Sequence, residues 1–171
     1  MGKEIRVEIM DTTLRDGEQT SGVSFVPHEK LMIARLLLEE LKVDRIEISS
    51  ARVSEGEREA VRRICQWATD NGYIHQVEVL GFVDGTVSVD WIHSVGCRVL
   101  NLLCKGSLKH CTAQLHKTLE EHLDDIRWTV NYAHAMGMHL RGSPPLQVAI
   151  VLRYEPLLPD TVFLIQCVSY L

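Results

Sequence analysis

A short polar segment near the N-terminus has side chains that could perform chemistry on a carbonyl compound. Asp11, Arg15, Asp16, Glu18 and Gln19 fall within nine positions, at the end of an alternating apolar run. A carboxylate suits a hard divalent cation, and the planar guanidinium of arginine can hold a carbonyl or enolate oxygen. The same spacing also fits a solvated polar turn with a surface ion pair, so spacing alone leaves both interpretations open.

A further acidic residue, Glu47, lies in the middle of a predicted strand. A carboxylate in such a position is costly to bury unless it is paired. In a barrel it would point inward, where it could face a metal or an arginine. Alternatively, it could face outward beside Arg45 or Lys42.

The elements that position these residues alternate between strand and helix patterns. Strand patterns cover residues 5–13, 45–50, 76–83 and 98–104. Helical patterns follow them, starting near Pro27, Ser54, Val89 and Leu119. This alternation predicts a parallel sheet. Because no dinucleotide-type glycine motif follows the first strand, a (β/α)8 barrel is favoured over a doubly wound sheet.

Two of the predicted helices have specific local signals. The first starts at Pro27 and has an apolar stripe at helical spacing, formed by Leu31, Ala34, Leu38 and Leu41. Ahead of the second, Ser54 and Glu57 have the spacing of a capping box.

The repeat covers only part of the chain. Four β-α units of roughly 30–35 residues account for residues 1–139 as the N-terminal half of a (β/α)8 TIM barrel, which needs roughly 250 residues in full. Residues 140–171 form an irregular tail in which no amphipathic helix separates the apolar runs. The predicted fold class is therefore α/β, with a partial barrel domain followed by an atypical segment.

Composition excludes several classes of function. The chain has 18 Lys+Arg and 23 Asp+Glu, a formal charge of −5, which argues against a protein that binds nucleic acid through a basic face. A secretory h-region and an 18-residue uncharged run are both absent from the sequence, so we expect a cytoplasmic protein without a membrane partner. The five cysteines include no C-x-x-C pair and signal neither a disulfide framework nor a zinc ribbon.

Five separated stretches occur in an order that is typical of one enzyme family. They are residues 11–19 (DTTLRDGEQ), 46–47, 51–54, 80–85 and 101–107. Together they resemble the 2-isopropylmalate synthase, homocitrate synthase and citramalate synthase family. The resemblance implies a divalent-metal-dependent barrel enzyme of branched-chain amino-acid biosynthesis. Such an enzyme condenses acetyl-CoA with a 2-oxo acid and hydrolyses the thioester.

The resemblance also implies roles for individual residues. Asp16 matches the single carboxylate ligand of the divalent metal (Mg, Mn or Zn). Arg15 matches the arginine that polarises the oxo-acid carbonyl and stabilises the developing alkoxide. Glu47 is expected beside the metal or hydrogen-bonded to Arg15.

Three further residues are implied to bind substrate. Gln19 is expected to line the acyl end of the site. Leu80 and Leu103 resemble the apolar pocket positions of citramalate synthases, which accept pyruvate, and this favours a small 2-oxo acid.

The sequence departs from the family pattern after residue 139. The two remaining metal ligands of the family are the histidines of a His-x-His motif, and no His-x-His occurs in this sequence. Where a Tyr-Leu-Glu-Asp-type strand is expected, residues 140–145 read LRGSPP. We therefore expect a truncated or altered synthase that is inactive alone.

Two other functions remain possible from the sequence. One is a non-catalytic half-barrel that assembles with a partner chain, since exposed sheet edges and apolar faces favour homo-oligomerisation. The other is an aldolase similar to HMG-CoA lyase, which shares the Arg-Asp pair but fits residues 11–14 less well.

Overall fold

The computed structural model describes residues 8–105 and 107–143, which form one parallel sheet flanked by helices. The five strands of this part of the chain are β1 (Met10–Asp11), β2 (Arg45–Ser50), β3 (Val77–Phe82), β4 (Val99–Leu103) and β5 (His139–Ser143). Each pairs in parallel with the next, in the order β1-β2-β3-β4-β5. A doubly wound sheet reverses its strand order at a switch point, whereas this order runs in one direction, as in a barrel.

Helices connect the strands as the alternation predicts. They are α1 (Pro27–Arg35), α2 (Glu55–Asp70), α3 (Val87–Ser94), α4 (Leu108–Ala113) and α5 (Leu119–Ala135). The short helix α4, between β4 and α5, was not expected from the sequence. None of the described helices is long and apolar enough to span a bilayer.

Strand β5 crosses the position at which the repeat pattern ends in the sequence. It pairs with β4 from Val99 opposite His139 to Leu103 opposite Ser143. Its sequence, HLRGS, has too little apolar alternation to be predicted as a strand. The division at residue 139 stays a prediction, and residues 144–171 of the predicted tail lie outside the described residues.

The helix-facing side of the sheet forms the core. Alternate residues of the strands, such as Ile46, Val79 and Leu100, are fully buried there among helix residues such as Ile64 and Ile92. The opposite, inner side of the sheet carries several polar side chains, including Glu47, Glu78 and Asn101, beside apolar ones such as Leu80. In a barrel this side faces the interior, so the polar groups on it must find partners among themselves.

One group of charges fills the inner side near the beginning of the strands. Arg45 Nη1 lies 2.8 Å from Glu78 Oε1, and Arg141 Nη1 lies 3.2 Å from the same oxygen. Glu8 Oε2 lies 3.2 Å from Arg45 Nε. Burial raises the pKa of Glu78, and the two arginines oppose that rise. The pairing lets the sheet hold a carboxylate that is fully inaccessible to solvent.

Strand β2 contains an irregularity that sends its side chains in two directions. Its register with β3 shifts between Glu47, which lies opposite Glu78, and Ser49, which lies opposite Val79. Glu47 therefore faces the inner side, while Ser49 shares the helix-facing side with Val79. A β-bulge of this kind re-aims a side chain at the end of a strand.

A π-helical turn over Leu36–Glu40 continues α1, with Leu41 N donating to Leu36 O at 2.9 Å. The wider turn changes the phase of the predicted apolar stripe. Ala34 and Leu38 are buried as expected, whereas Leu41 is 70% exposed. The prediction for Leu41 was wrong because it assumed a regular 3.6-residue period.

Gly81 in β3 provides a test of this packing. A Cβ atom placed there would lie 2.5 Å from Leu100 Cδ1 and 3.0 Å from Ile92 Cδ1. We predict that Gly81→Ala lowers the free energy of unfolding by about 1–3 kcal/mol, the usual range for overpacking. Urea unfolding measures the change.

Gly56→Ala in α2 is the matched control, because its Cβ would approach Ser54 Oγ only to 3.8 Å. It should leave stability unchanged or raise it by up to about 1 kcal/mol. Equal stability of the Gly81→Ala variant and the wild type would contradict the described contact between β3, β4 and α3.

Candidate active site

The loop after β1 folds back over the end of the sheet in a tight, self-supported turn. Asp16 N and Arg15 N both donate to Thr12 O, at 2.8 and 3.0 Å. Asp11 Oδ1 accepts from Thr13 N at 2.9 Å, a local turn that aspartate favours. The turn places Arg15 and Asp16 at the carboxyl ends of the strands, where active sites of parallel α/β barrels form.

Arg15 is held between two carboxylates. Its Nε donates to Glu47 Oε2 and its Nη1 donates to Asp16 Oδ1. The arginine side chain is only 14% exposed, and Glu47 is completely buried. The structure thus brings together three of the residues predicted from the sequence, and Glu47 faces inward toward an arginine.

Asn101 completes the pairing of Glu47 from the other side. Its Nδ2 donates to Glu47 Oε1 at 2.5 Å, so both carboxylate oxygens of Glu47 accept hydrogen bonds. Asn101 was not predicted as a site residue from the sequence. Its signal was present, because it is a polar residue within the apolar run of β4.

The environment of Glu47 contains opposing electrostatic effects. Burial raises the pKa of its carboxyl group, whereas the charge of Arg15 and the hydrogen bonds from Arg15 and Asn101 lower it, leaving a net rise. Because Asn101 holds one oxygen of the Glu47 carboxylate, the other oxygen fixes the plane of the Arg15 guanidinium. A guanidinium fixed in this way can stabilise negative charge that develops on a substrate oxygen.

A cleft of about 350 Å³ opens beside Arg15. Its lining includes Leu14, Arg15, Gln19, Ser49, Val53 and Glu57. Gln19 therefore lies on the same cleft as Arg15. The mixture of hydroxyl, amide and apolar groups is typical of small-molecule sites.

The two predicted pocket leucines lie on the inner side of the sheet near Asn101. Leu80 lies opposite Asn101 in the register of β3 and β4, and it is 6% exposed. Leu103 is two residues beyond Asn101, hence on the same side of β4. Neither leucine is among the residues that line the cleft.

The described residues do not form a complete divalent-metal site. Among residues 8–105 and 107–143, no three His, Cys, Asp or Glu side chains cluster in a way that could hold a metal ion. Asp16 is ion-paired with Arg15, and Glu47 is shared between Arg15 and Asn101. Catalytic metal sites usually have about three protein ligands, so this donor set does not suffice, and the metal role of Asp16 stays a prediction.

The raised pKa of Glu47 gives a test with a definite sign. A carboxyl group whose pKa is raised by folding stabilises the protein below its unfolded pKa, and this contribution is lost as pH rises through the folded value. We predict that the stability difference between the wild type and Glu47→Gln falls as pH rises from below the ordinary carboxyl range to neutrality. Urea unfolding across this range measures it.

Glu59 on α2 is a control of opposite sign. Hydrogen bonds from Arg63 and Arg62 lower the pKa of this exposed carboxyl group. The stability difference between the wild type and Glu59→Gln should therefore rise over the same pH range. If both differences rose with pH, the net rise in the pKa of Glu47 would be contradicted, because its pairing would then outweigh the effect of burial.

Curated relatives of this chain are named citramalate, homocitrate and 2-isopropylmalate synthases. The chain is 42% identical to the (R)-citramalate synthase of Methanocaldococcus jannaschii over 77% of its length. It is 42% identical to a homocitrate synthase of Methanopyrus kandleri over 80%, and 39% identical to a 2-isopropylmalate synthase of Saccharolobus solfataricus over 81%. It spans 26%, 33% and 35% of these three relatives, respectively.

Solved structures share the fold at low sequence identity. The HMG-CoA lyase of Bacillus subtilis aligns with a TM-score of 0.57 at 20% identity, covering 83% of this chain and 47% of the lyase. The hydroxymethylglutaryl-CoA lyase of Pseudomonas aeruginosa aligns with a TM-score of 0.59 at 15% identity, covering 80% and 45%. These likenesses show the fold alone. They confirm a (β/α)8-type half-barrel.

The resemblance carried by the five sequence motifs is confirmed. The family model described as HMGL-like matches residues 6–153, which is most of the chain. The chain therefore belongs to the HMGL-like family.

Proposed function

We propose that this chain forms the N-terminal half of the catalytic barrel of a synthase that condenses acetyl-CoA with a 2-oxo acid. The observation that carries the proposal is the Arg15 guanidinium, fixed by Glu47 and Asp16 at the carboxyl ends of the strands. Identities of 39–42% to citramalate, homocitrate and 2-isopropylmalate synthases support this reaction class.

In the proposed reaction, Arg15 donates to the carbonyl oxygen of the 2-oxo acid. The methyl carbon of acetyl-CoA, after losing a proton, forms a bond to the carbonyl carbon, and the carbonyl oxygen becomes an alkoxide that is then protonated. Water hydrolyses the thioester to a carboxylate and free CoA thiol. One well-placed donor to such an oxyanion lowers the activation free energy by about 3–4 kcal/mol.

Glu47 and Asn101 act on Arg15 and not on the substrate. Because Glu47 accepts from both, a guanidinium that would otherwise sample many rotamers is held in one orientation. In the complete protein, Asp16 would supply one carboxylate ligand to a divalent metal. The described residues lack the remaining ligands, so no step of the reaction is assigned to a metal.

The proposed oxo acid is small. Leu80 and Leu103 place apolar side chains on the side of the sheet that carries Asn101, and they would pack against a short alkyl group such as the methyl of pyruvate. Gln19, on the cleft with Arg15, is proposed to contact the acyl end of acetyl-CoA. Homo-oligomerisation and a cytoplasmic location stay predictions.

The 171-residue chain is proposed to lack turnover on its own. It covers about a quarter to a third of its synthase relatives, and its described residues hold no three-ligand metal site. The purified chain with acetyl-CoA, a divalent metal and either pyruvate or 2-oxoisovalerate should release no thiol above the blank. The M. jannaschii synthase in the same assay is the positive control. Release that depends on the oxo acid would contradict the inactivity.

A chimera tests the reaction class itself. The segment of this chain that matches the M. jannaschii citramalate synthase, 134 residues in length, replaces its counterpart in that enzyme. We predict oxo-acid-dependent thiol release, and a loss of about 10²–10³-fold in kcat for Arg15→Lys in the chimera, as for removal of an oxyanion donor. Arg127→Lys, an exposed arginine on α5, is the control.

A folded chimera without activity would overturn the proposed reaction. It would instead favour a half-barrel that assembles with a partner without taking part in catalysis.

A further inference from the structure

A buried lysine outside the Arg15 group has an unusual set of partners. Lys30 lies on α1 with only 1% of its surface exposed. Its Nζ is paired with Glu18, lies 2.5 Å from Glu57 Oε1, and lies 3.4 Å from the carbonyl oxygen of Leu14. A buried ammonium with two carboxylates and a carbonyl as partners is a donor in every contact.

Both carboxylates reach further elements through their second oxygen atoms. Glu57 Oε2 accepts from Ser49 Oγ at 2.7 Å, which ties the group to the end of β2. Glu18 Oε1 accepts from Phe25 N at 3.0 Å, which ties it to the end of the loop that begins after β1. Lys30 therefore connects α1, α2, β2 and both ends of this loop.

The Glu57 side chain has two possible sets of partners: the N-terminus of its own helix α2, as the capping spacing predicts, or Lys30 and Ser49. Ser54 Oγ accepts from Glu57 N at 3.1 Å, so the predicted N-cap is present. The Glu57 side chain does not return to Ser54 N as a full capping box requires, but contacts Lys30 and Ser49 instead. The Glu57 side chain therefore stabilises contacts between α1, α2 and β2 and does not cap its own helix.

The network touches the chain directly beside the proposed catalytic arginine. The Leu14 carbonyl group belongs to the peptide bond that joins Leu14 to Arg15, and its oxygen accepts from Lys30. The Leu14 side chain itself is only 1% exposed. With this carbonyl and Glu18 both bound to Lys30, the segment from residue 14 to residue 18 is held at each end. Arg15 can then reach Glu47 from only a narrow range of backbone positions.

We propose that Lys30 is a positioning residue that holds the loop after β1 so that Arg15 is directed at Glu47. Its role in turnover rests on the proposed function, whereas its effect on Arg15 is a property of the folded chain. A role as nucleophile or base does not fit, because the amine is shielded from solvent and engaged by acceptors on three sides.

The test follows the Arg15 Nε–H group by NMR in the full 171-residue chain. Its resonance is assigned by its loss in Arg15→Lys. Its exchange with water is compared with that of the Leu100 amide in β4, a strand that pairs with β3 on one side and β5 on the other and therefore reports global opening. Lys30→Met should speed exchange of the Arg15 group by about tenfold or more relative to Leu100, because local opening becomes easier. Lys30→Arg should restore part of the protection.

Lys117→Met is the matched control, since Lys117 is 45% exposed and pairs with Asp125 far from this loop in the sequence. It should leave the Arg15 group unchanged. A folded Lys30→Met variant with wild-type protection of Arg15 overturns the proposal.

If the Lys30→Met variant does not fold, the same exchange measurement on Glu18→Gln tests the proposal. This change removes one charge from the network, while the Gln oxygen can still accept from Phe25 N and Lys30 keeps Glu57. We expect about threefold faster exchange of the Arg15 group relative to Leu100. Unchanged exchange overturns the proposal.

The catalytic part of the role is tested separately in the active chimera. There, Lys30→Met should lower kcat more than it changes KM, with rescue by Lys30→Arg. If the chimera is inactive but the exchange result holds, the proposed reaction fails and the positioning role stands.

Discussion

The carboxylate of Glu47 is completely buried within a parallel sheet, where an unpaired charge would cost several kcal/mol. The fold meets this cost by bringing a cation from the loop after β1 and an amide from β4 to its two oxygen atoms. Strand order, the register of β4 and the path of the first loop are all constrained by this one pairing. The same pairing orients Arg15 at the end of the barrel where substrates bind.

Polar groups on the inner side of the sheet are arranged at two levels. Arg45, Glu78 and Arg141 pair near the beginning of the strands, and the Arg15 group lies toward their ends. The group near the beginning of the strands is assigned no catalytic role. Its effect is on specificity of structure, because the buried charges of Arg45 and Glu78 and the partly exposed charge of Arg141 come together in only one register.

Much of the fold could be predicted because its signals are local. The β2 strand, the N-cap at Ser54 and the helix start at Pro27 depend on alternation and short-range hydrogen bonds. The position of Glu47 in a barrel strand already allowed it to face a metal or an arginine. That Arg15 is this arginine was predictable only through the family resemblance, because the two residues are 32 positions apart. The individual catalytic and binding roles remain predictions.

The features that could not be predicted from the sequence depend on tertiary contacts. Asn101 was passed over because one polar residue in a buried strand has many explanations until its partner is known. Lys30 sits in a helix that looks amphipathic, and only the convergence of two distant carboxylates shows why it is buried. The phase change before Leu41 and the pairing of β5 with β4 also depend on packing, which overrides local period and propensity.

The bulge in β2 makes this strand a shared component of two electrostatic networks. Glu47 belongs to the network inside the barrel, and Ser49, two positions later, belongs to the network around Lys30. Their effects on the protein cannot be independent, since a shift of the strand along its axis would disturb both at once. Over evolutionary change, residues around these two networks are therefore expected to vary together, and replacing either network alone would select for compensating change in the other.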